Sequence, residues 1–189
     1  MAAADRPESL DDLGARFLQA LDARRRGDVD GAAELLRGVL KVEPRLPEPH
    51  MELAHILLET GQLDEAEEHA REAIRHLEAG GQWTDDLPES VVLGMAWDIL
   101  GEVLRRIADS DEVVFGDPAR FESLMKEARA AFDRAAQIDP TNDHAGGWSR
   151  DFELPPIARR ALREVAGDAG EEAAGDDAAG DDAVGDDGA

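Results

Sequence analysis

Apolar residues return every three or four positions along most of this chain, with charged residues between them. That spacing predicts helices that each bury one face. Leu10, Leu13, Phe17, Ala20 and Leu21 mark a helix from about 10 to 26. Ser9, with Asp12 three residues on, forms an approximate capping box at its start, and Gly27 supplies its stop. Val29, Ala32, Leu36, Val39 and Leu40 predict a second helix. It ends at Glu43-Pro44, because proline cannot continue a helix interior. Pro47 and Pro49 fall in the first turn of a third helix, where proline is tolerated. His50, Leu53, Ala54 and Leu57 make its inner face, and Gly61 ends it. Leu63, Ala66, Ala70, Ala73, Ile74 and Leu77 give the cleanest stripe, broken by Gly80-Gly81, and 80–88 is expected as a loop.

Further on, Leu93, Trp97, Leu100, Gly101, Leu104 and Ala108 predict another helix. Its partner comes late, in Phe121, Leu124, Met125, Ala128, Phe132, Ala135 and Ile138, and stops at Asp139-Pro140. Between them, 109–118 is expected as a solvated acidic loop, with Val113-Val114-Phe115 either a contact hook or folded back on the core. Residues 141–154 are expected as an irregular link, after which Pro155-Pro156 opens a short closing helix to about Ala166. Residues 1–8 are expected to be frayed, which leaves 9–166 as one folded domain ahead of a tail at 167–189.

The chain also repeats itself. The turn Gly27-Asp28-Val29-Asp30 recurs as Gly61-Gln62-Leu63-Asp64, an offset of 34 residues. At the same offset Ala32 becomes Ala66, Val39 becomes Ala73 and Leu40 becomes Ile74. Thirty-four is the period of a helix–turn–helix repeat. The best-formed unit has Trp97, Leu100-Gly101, Leu104, Ala128, Phe132 and Pro140, with an insertion between its halves. The second has His50, Leu53-Ala54, Leu57, Ala66, Ala70 and Ala73, with Glu78 where a closing proline would stand. The first has a degenerate opening helix and a better second half in Ala32, Leu36 and Pro44.

On these residues, roughly 13–140 resembles the tetratricopeptide repeat family. The resemblance implies an all-α solenoid of about three helix pairs plus a C-terminal capping helix, with Trp97 buried between the second and third units. It also implies a concave groove lined by the first helix of each pair. The groove-facing positions would be Phe17, Leu21, Arg24 and Arg25, then Met51, His55, Leu58 and Glu59, then Asp98, Glu102, Arg105 and Arg106. Arginine pairs well with carboxylates, so the four groove arginines suit an acidic-hydrophobic peptide; the alternative is that they are solvated helix ends. Members that bind chaperone tails carry lysine and asparagine on these helices. Phe17, Leu21, Met51 and His55 stand there instead, which argues against that clamp.

Charge narrows the partner. The chain carries −24, of which nine acids and no bases lie from Gly167 onward. The body holds 35 acids against 20 bases, a net of −15, which repels nucleic acid and anionic lipid. The tail repeats Gly-Asp-Asp at 175–177, 180–182 and 185–187 and has too little apolar surface to order. Cysteine is absent, the first residues do not form a secretory signal, and no stretch suits membrane insertion. A cytoplasmic protein is expected, and 18 arginines against two lysines suggest a bacterial source.

Nucleophile–base and phosphate-loop motifs are missing. His50/His55 and His69/His76 are five and seven apart, not the four of a helical metal pair, so no metal, cofactor or enzymatic activity is expected. Trp83 and Trp148 are expected to pack against the array. The function these features point to is an adaptor that binds a peptide or helix of a partner protein in its groove. The alternative is a self-assembly module forming a homo-oligomer; the groove model itself needs only a monomer or weak homo-oligomer.

Overall fold

The computed structural model describes residues 9–83 and 86–151, apart from the side chains of 149–151. Among them are eight helices and no strand: α1 (Leu10–Arg25), α2 (Val29–Val42), α3 (Pro47–Thr60), α4 (Leu63–Glu78), α5 (Glu89–Ala108), α6 (Asp111–Gly116), α7 (Pro118–Ile138) and α8 (Asp143–Asp151). Helices α1/α2, α3/α4 and α5/α7 form the closest pairs, and α2 against α3 and α4 against α5 join each pair to the next. The expected flexible N-terminus, closing helix and acidic tail lie outside the described residues.

The helix ends come in two kinds. Gly27 and Gly61 sit at φ +82° and +80°, where any residue with a Cβ is strained. In both turns the glycine N–H reaches back three residues and the next N–H five, satisfying the last carbonyls of α1 and α3. Gly80 ends α4 in the same way, at φ +77°. Ahead of Pro44 and Pro140 the chain instead leaves α2 and α7 extended, with Glu43 at φ −130°, ψ 93° and Asp139 at φ −124°, ψ 90°. A residue before proline is pushed out of the helical region, so the prolines themselves set this geometry. Unit 2 lacks the closing proline and relies on Gly80. At the N-terminus the capping box is complete: Ser9 accepts from the Asp12 N–H while Asp12 accepts from the Ser9 N–H.

Two expectations need correction. The 109–118 insertion is not wholly loop, because Asp111–Gly116 forms α6. Val113 is buried and anchors it, while Phe115 stands 82% exposed. The 141–154 segment is not an irregular link, because Asp143–Asp151 forms α8. Asn142 accepts the Ala145 N–H, and Asp139 accepts the Thr141 N–H and hydroxyl, so the turn and the helix start are both capped. Helix α8 begins three residues after Pro140, as α3 begins three after Pro44. Its spacing from Pro140 thus matches that of α3, an opening helix, from Pro44.

The core runs through the pairs without a break. Phe17, Ala20 and Ala23 of α1 join Ala32 and Leu36 of α2, Leu53 and Leu57 of α3, and Val103 and Ile107 of α5. Alanines on the facing stripes let the helices close up. Gly101 carries this furthest: a Cβ there would lie 2.7 Å from the buried Phe132 ring. Trp97 departs from expectation. It lies at the junction of the second and third units, but is only half-buried and lines an open pocket with Arg71 of α4 and Glu127 of α7. Its Nε1 is buried with no hydrogen-bond partner among the described residues.

Candidate functional site

The first helices of the pairs, α1, α3 and the start of α5, enclose a cleft of about 720 Å³. Phe17 and Met51 are buried in its floor, and Leu21 stands half-buried beside them. Its walls carry Leu10 and Leu18 of α1, which are 60% and 62% exposed, together with exposed Met95 of α5 and Leu87 of the preceding loop. These are four of the seven large apolar side chains left exposed among the described residues. Such concentration on one surface marks an interaction site more strongly than scattered exposed leucines do. The charged groups at the cleft, Asp11, Glu48, Glu52 and Asp86, are all acidic.

Trp83 closes one side. Its ring lies 5.5 Å from the Phe17 ring, and its backbone N–H donates to Glu48 Oε1 at 2.8 Å. It therefore packs against the array as expected, bringing the loop after α4 back to α1. The other loop tryptophan, Trp148, now lies in α8. It stacks on Phe132 at 5.7 Å, and the Arg105 guanidinium sits 5.1 Å from its ring centre.

The polar groove positions are committed to one another. Arg24 donates to Glu52 and Glu59, both at 2.7 Å. Burial pulls the Arg24 pKa down, but the two carboxylates outweigh it and hold the guanidinium above its ordinary value. Arg25 pairs with Asp22. Arg105 pairs with Glu102 at 2.7 Å and with Asp109, and its pKa is likewise raised, chiefly by Glu102. His55 lies 3.4 Å from Glu59, and Asp98 faces His144 of α8 at 2.8 Å. Arg106 is exposed. Phe17, Leu21 and Met51 thus meet in the cleft, Arg24 and Arg25 continue it along α1, and Asp98, Glu102 and Arg105 of α5 are engaged with one another or with α8. Leu18, Leu87 and Met95 were missed as site residues, while Leu10, expected on the α1 stripe, and Trp83, expected to pack against the array, were not assigned to the groove. The signal of the missed three was an apolar residue off the core stripe of an otherwise regular helix, or in a loop.

Histidines set apart along the sequence are brought together by the fold. His69 and His76 are two turns apart on one face of α4, and His50 of α3 lies against both, with ring centres 5.0 and 5.8 Å away. One donor atom from each of His50, Glu72 and His76 lies within 4.8 Å of the other two.

Residues 23–83 match the tetratricopeptide repeat family model. These residues are a tetratricopeptide-repeat segment. No curated protein matches it. The matched span runs from the last turn of α1 to Trp83, so it covers the turn between the first two helices and the whole second repeat. The α5/α7 pair extends the repeat array beyond that span, with Gly101 under Phe132 and Pro140 at its end. Tetratricopeptide repeats mediate protein–protein interaction. No helix among the described residues is long and apolar enough to cross a membrane.

Proposed function

We propose that this repeat protein is an adaptor that holds an amphipathic helix or extended peptide of a partner protein in the cleft between α1, α3 and α5. The observation that carries this is the gathering of Leu10, Leu18, Leu87 and Met95 around one cleft with an apolar floor. A helix laid in such a groove buries its apolar side chains at helical spacing. Asp11 and Asp86 at the rim favour lysine or arginine flanking those anchors, and the internal pairing of Arg24, Arg25 and Arg105 leaves them poorly placed to receive carboxylates. The partner is therefore apolar and basic rather than apolar and acidic.

A displayed library of amphipathic helices, selected against the protein, tests this. Enriched sequences should carry two or three large apolar anchors with basic flanks. Each buried anchor is worth about 1.5–3 kcal/mol, so Leu18→Glu with Met95→Glu should weaken binding by about a hundredfold or more. Both side chains lie outside the core, so helicity should not change. Acid-rich winners, or winners that bind the double variant equally well, would rule out this cleft. Light scattering on the same proteins separates the rival: a dimer that the double variant splits would make the cleft a self-assembly surface.

A further inference from the structure

We propose that His50, Glu72 and His76 form a site for a borderline divalent transition ion, Zn²⁺ or Ni²⁺, that clips α3 to α4. Bonds of about 2.0–2.2 Å to a tetrahedral ion place two ligand atoms roughly 3.3 Å apart. His76 Nε2 and Glu72 Oε2 are already 3.3 Å apart, and a donor atom of His50 lies within 4.8 Å of the other two groups. Drawing the His50 donor to the same spacing requires the Glu72 carboxylate or an imidazole ring to turn toward it. Two imidazoles and a carboxylate without sulfur suit zinc or nickel; calcium and magnesium prefer all-oxygen shells. Three protein ligands leave one position for water.

The surroundings are prepared for a cation. Arg75 donates to Glu72 and lies 3.0 Å from His76 Nε2. A guanidinium can only donate, so His76 Nε2 presents a lone pair, and a positive group already bridges two of the three donors. The Arg75 side chain is mostly exposed and free to swing away. His50 is buried, and its Nε2 meets the Pro44 carbonyl at 3.0 Å while its Nδ1 meets His69 at 2.8 Å. The carbonyl can only accept, so Nε2 carries the proton and Nδ1 the lone pair; an ion taken at Nδ1 replaces the His69 contact, while the Nε2 bond to Pro44 fixes the ring, as metal-bound histidines normally require. The clip falls on the one unit that lacks a closing proline, next to the last turn of α4.

Zn²⁺ alone, titrated calorimetrically into the full chain at neutral pH, tests the proposal. The expected result is one ion per chain with micromolar-range affinity and a higher melting temperature. His76→Gln and Glu72→Gln should each weaken that site at least tenfold, while His55→Ala and His144→Ala should not. Arg75→Ala should tighten it several-fold by removing the resident cation. That variant alters an exposed side chain and stays informative should a histidine variant fail to fold. Equal zinc affinity in wild type, His76→Gln and Glu72→Gln would overturn the proposal, as would an Arg75→Ala protein that binds no more tightly.

Discussion

Single residues decide how closely these helices approach. Gly101 faces Phe132 with no room for a methyl group. Gly101→Ala gains about 1 kcal/mol of helix propensity and loses about 1–3 kcal/mol to overpacking against a ring that is fully buried. A net loss is expected, read as a lower urea midpoint; an unchanged or higher midpoint would mean the ring moves freely. Phe132→Ala should cost more, about 3–5 kcal/mol, whereas half-buried Trp97 should fall short of that. The three clustered histidines act at this scale too. Burial, helped by His50, lowers the His69 pKa from 6.5 to about 4. Glu65 and Glu72 of α4 oppose the shift, and Arg37 of α2 adds to it. Below about pH 6.5 the unfolded chain binds protons that the folded His69 refuses. Its contribution is therefore complete above about 6.5 and is lost progressively as pH falls toward 4. In buffer with a chelator, the urea midpoint should fall across that window and fall less in His69→Gln. Identical slopes would remove His69 from the account.

At the scale of elements, legibility followed length. Helices α1 to α5 and α7 run for 14 to 21 residues, enough for an apolar face to repeat several times. Helix α6 has six residues, fewer than two turns, and rests on one buried side chain, Val113, so no period could show. Helix α8 contains Gly146-Gly147, which have low helix propensity and read as a break. Tertiary contact overrides them, with Trp148 stacked on Phe132. The overlooked clue was Asp139-Pro140, which repeats the exit geometry of Glu43-Pro44. The cleft was legible where it shares residues with the core, as at Phe17, Leu21 and Met51. It was illegible where it uses apolar residues that face solvent, such as Leu18 and Met95, because a one-stripe reading assigns those faces to water. Capping gives a test here. Asp117 accepts the Arg120 N–H at 2.9 Å and Pro118 follows at the first position of α7. Asp117→Ala should cost about 0.5–2 kcal/mol, measured by thermal melting; no cost would mean that the proline alone starts α7.

Across the whole array, stability in a stack of repeats is a sum of unit and neighbour terms, and such stacks usually fray from both ends. Trp83 breaks that symmetry. It leaves the array after α4, crosses back to α1, and packs on Phe17 and beside Leu13, Val39 and Leu46. Helix α1 is thereby held by a residue from beyond the second unit, whereas α8 rests mainly on α7. Unfolding should then have a direction. Amide hydrogens of α8 should exchange with solvent first and those of α1 late, although α1 opens the array. Trp83→Ala should release α1, bringing its exchange up to that of α8 and splitting a single melt into two steps. If α1 already exchanges as fast as α8 in the unaltered chain, the ring contact carries no such hold. A partner seated in the cleft beside Trp83 would press on the same clasp, so its binding should slow exchange in α1 while leaving α8 as it was.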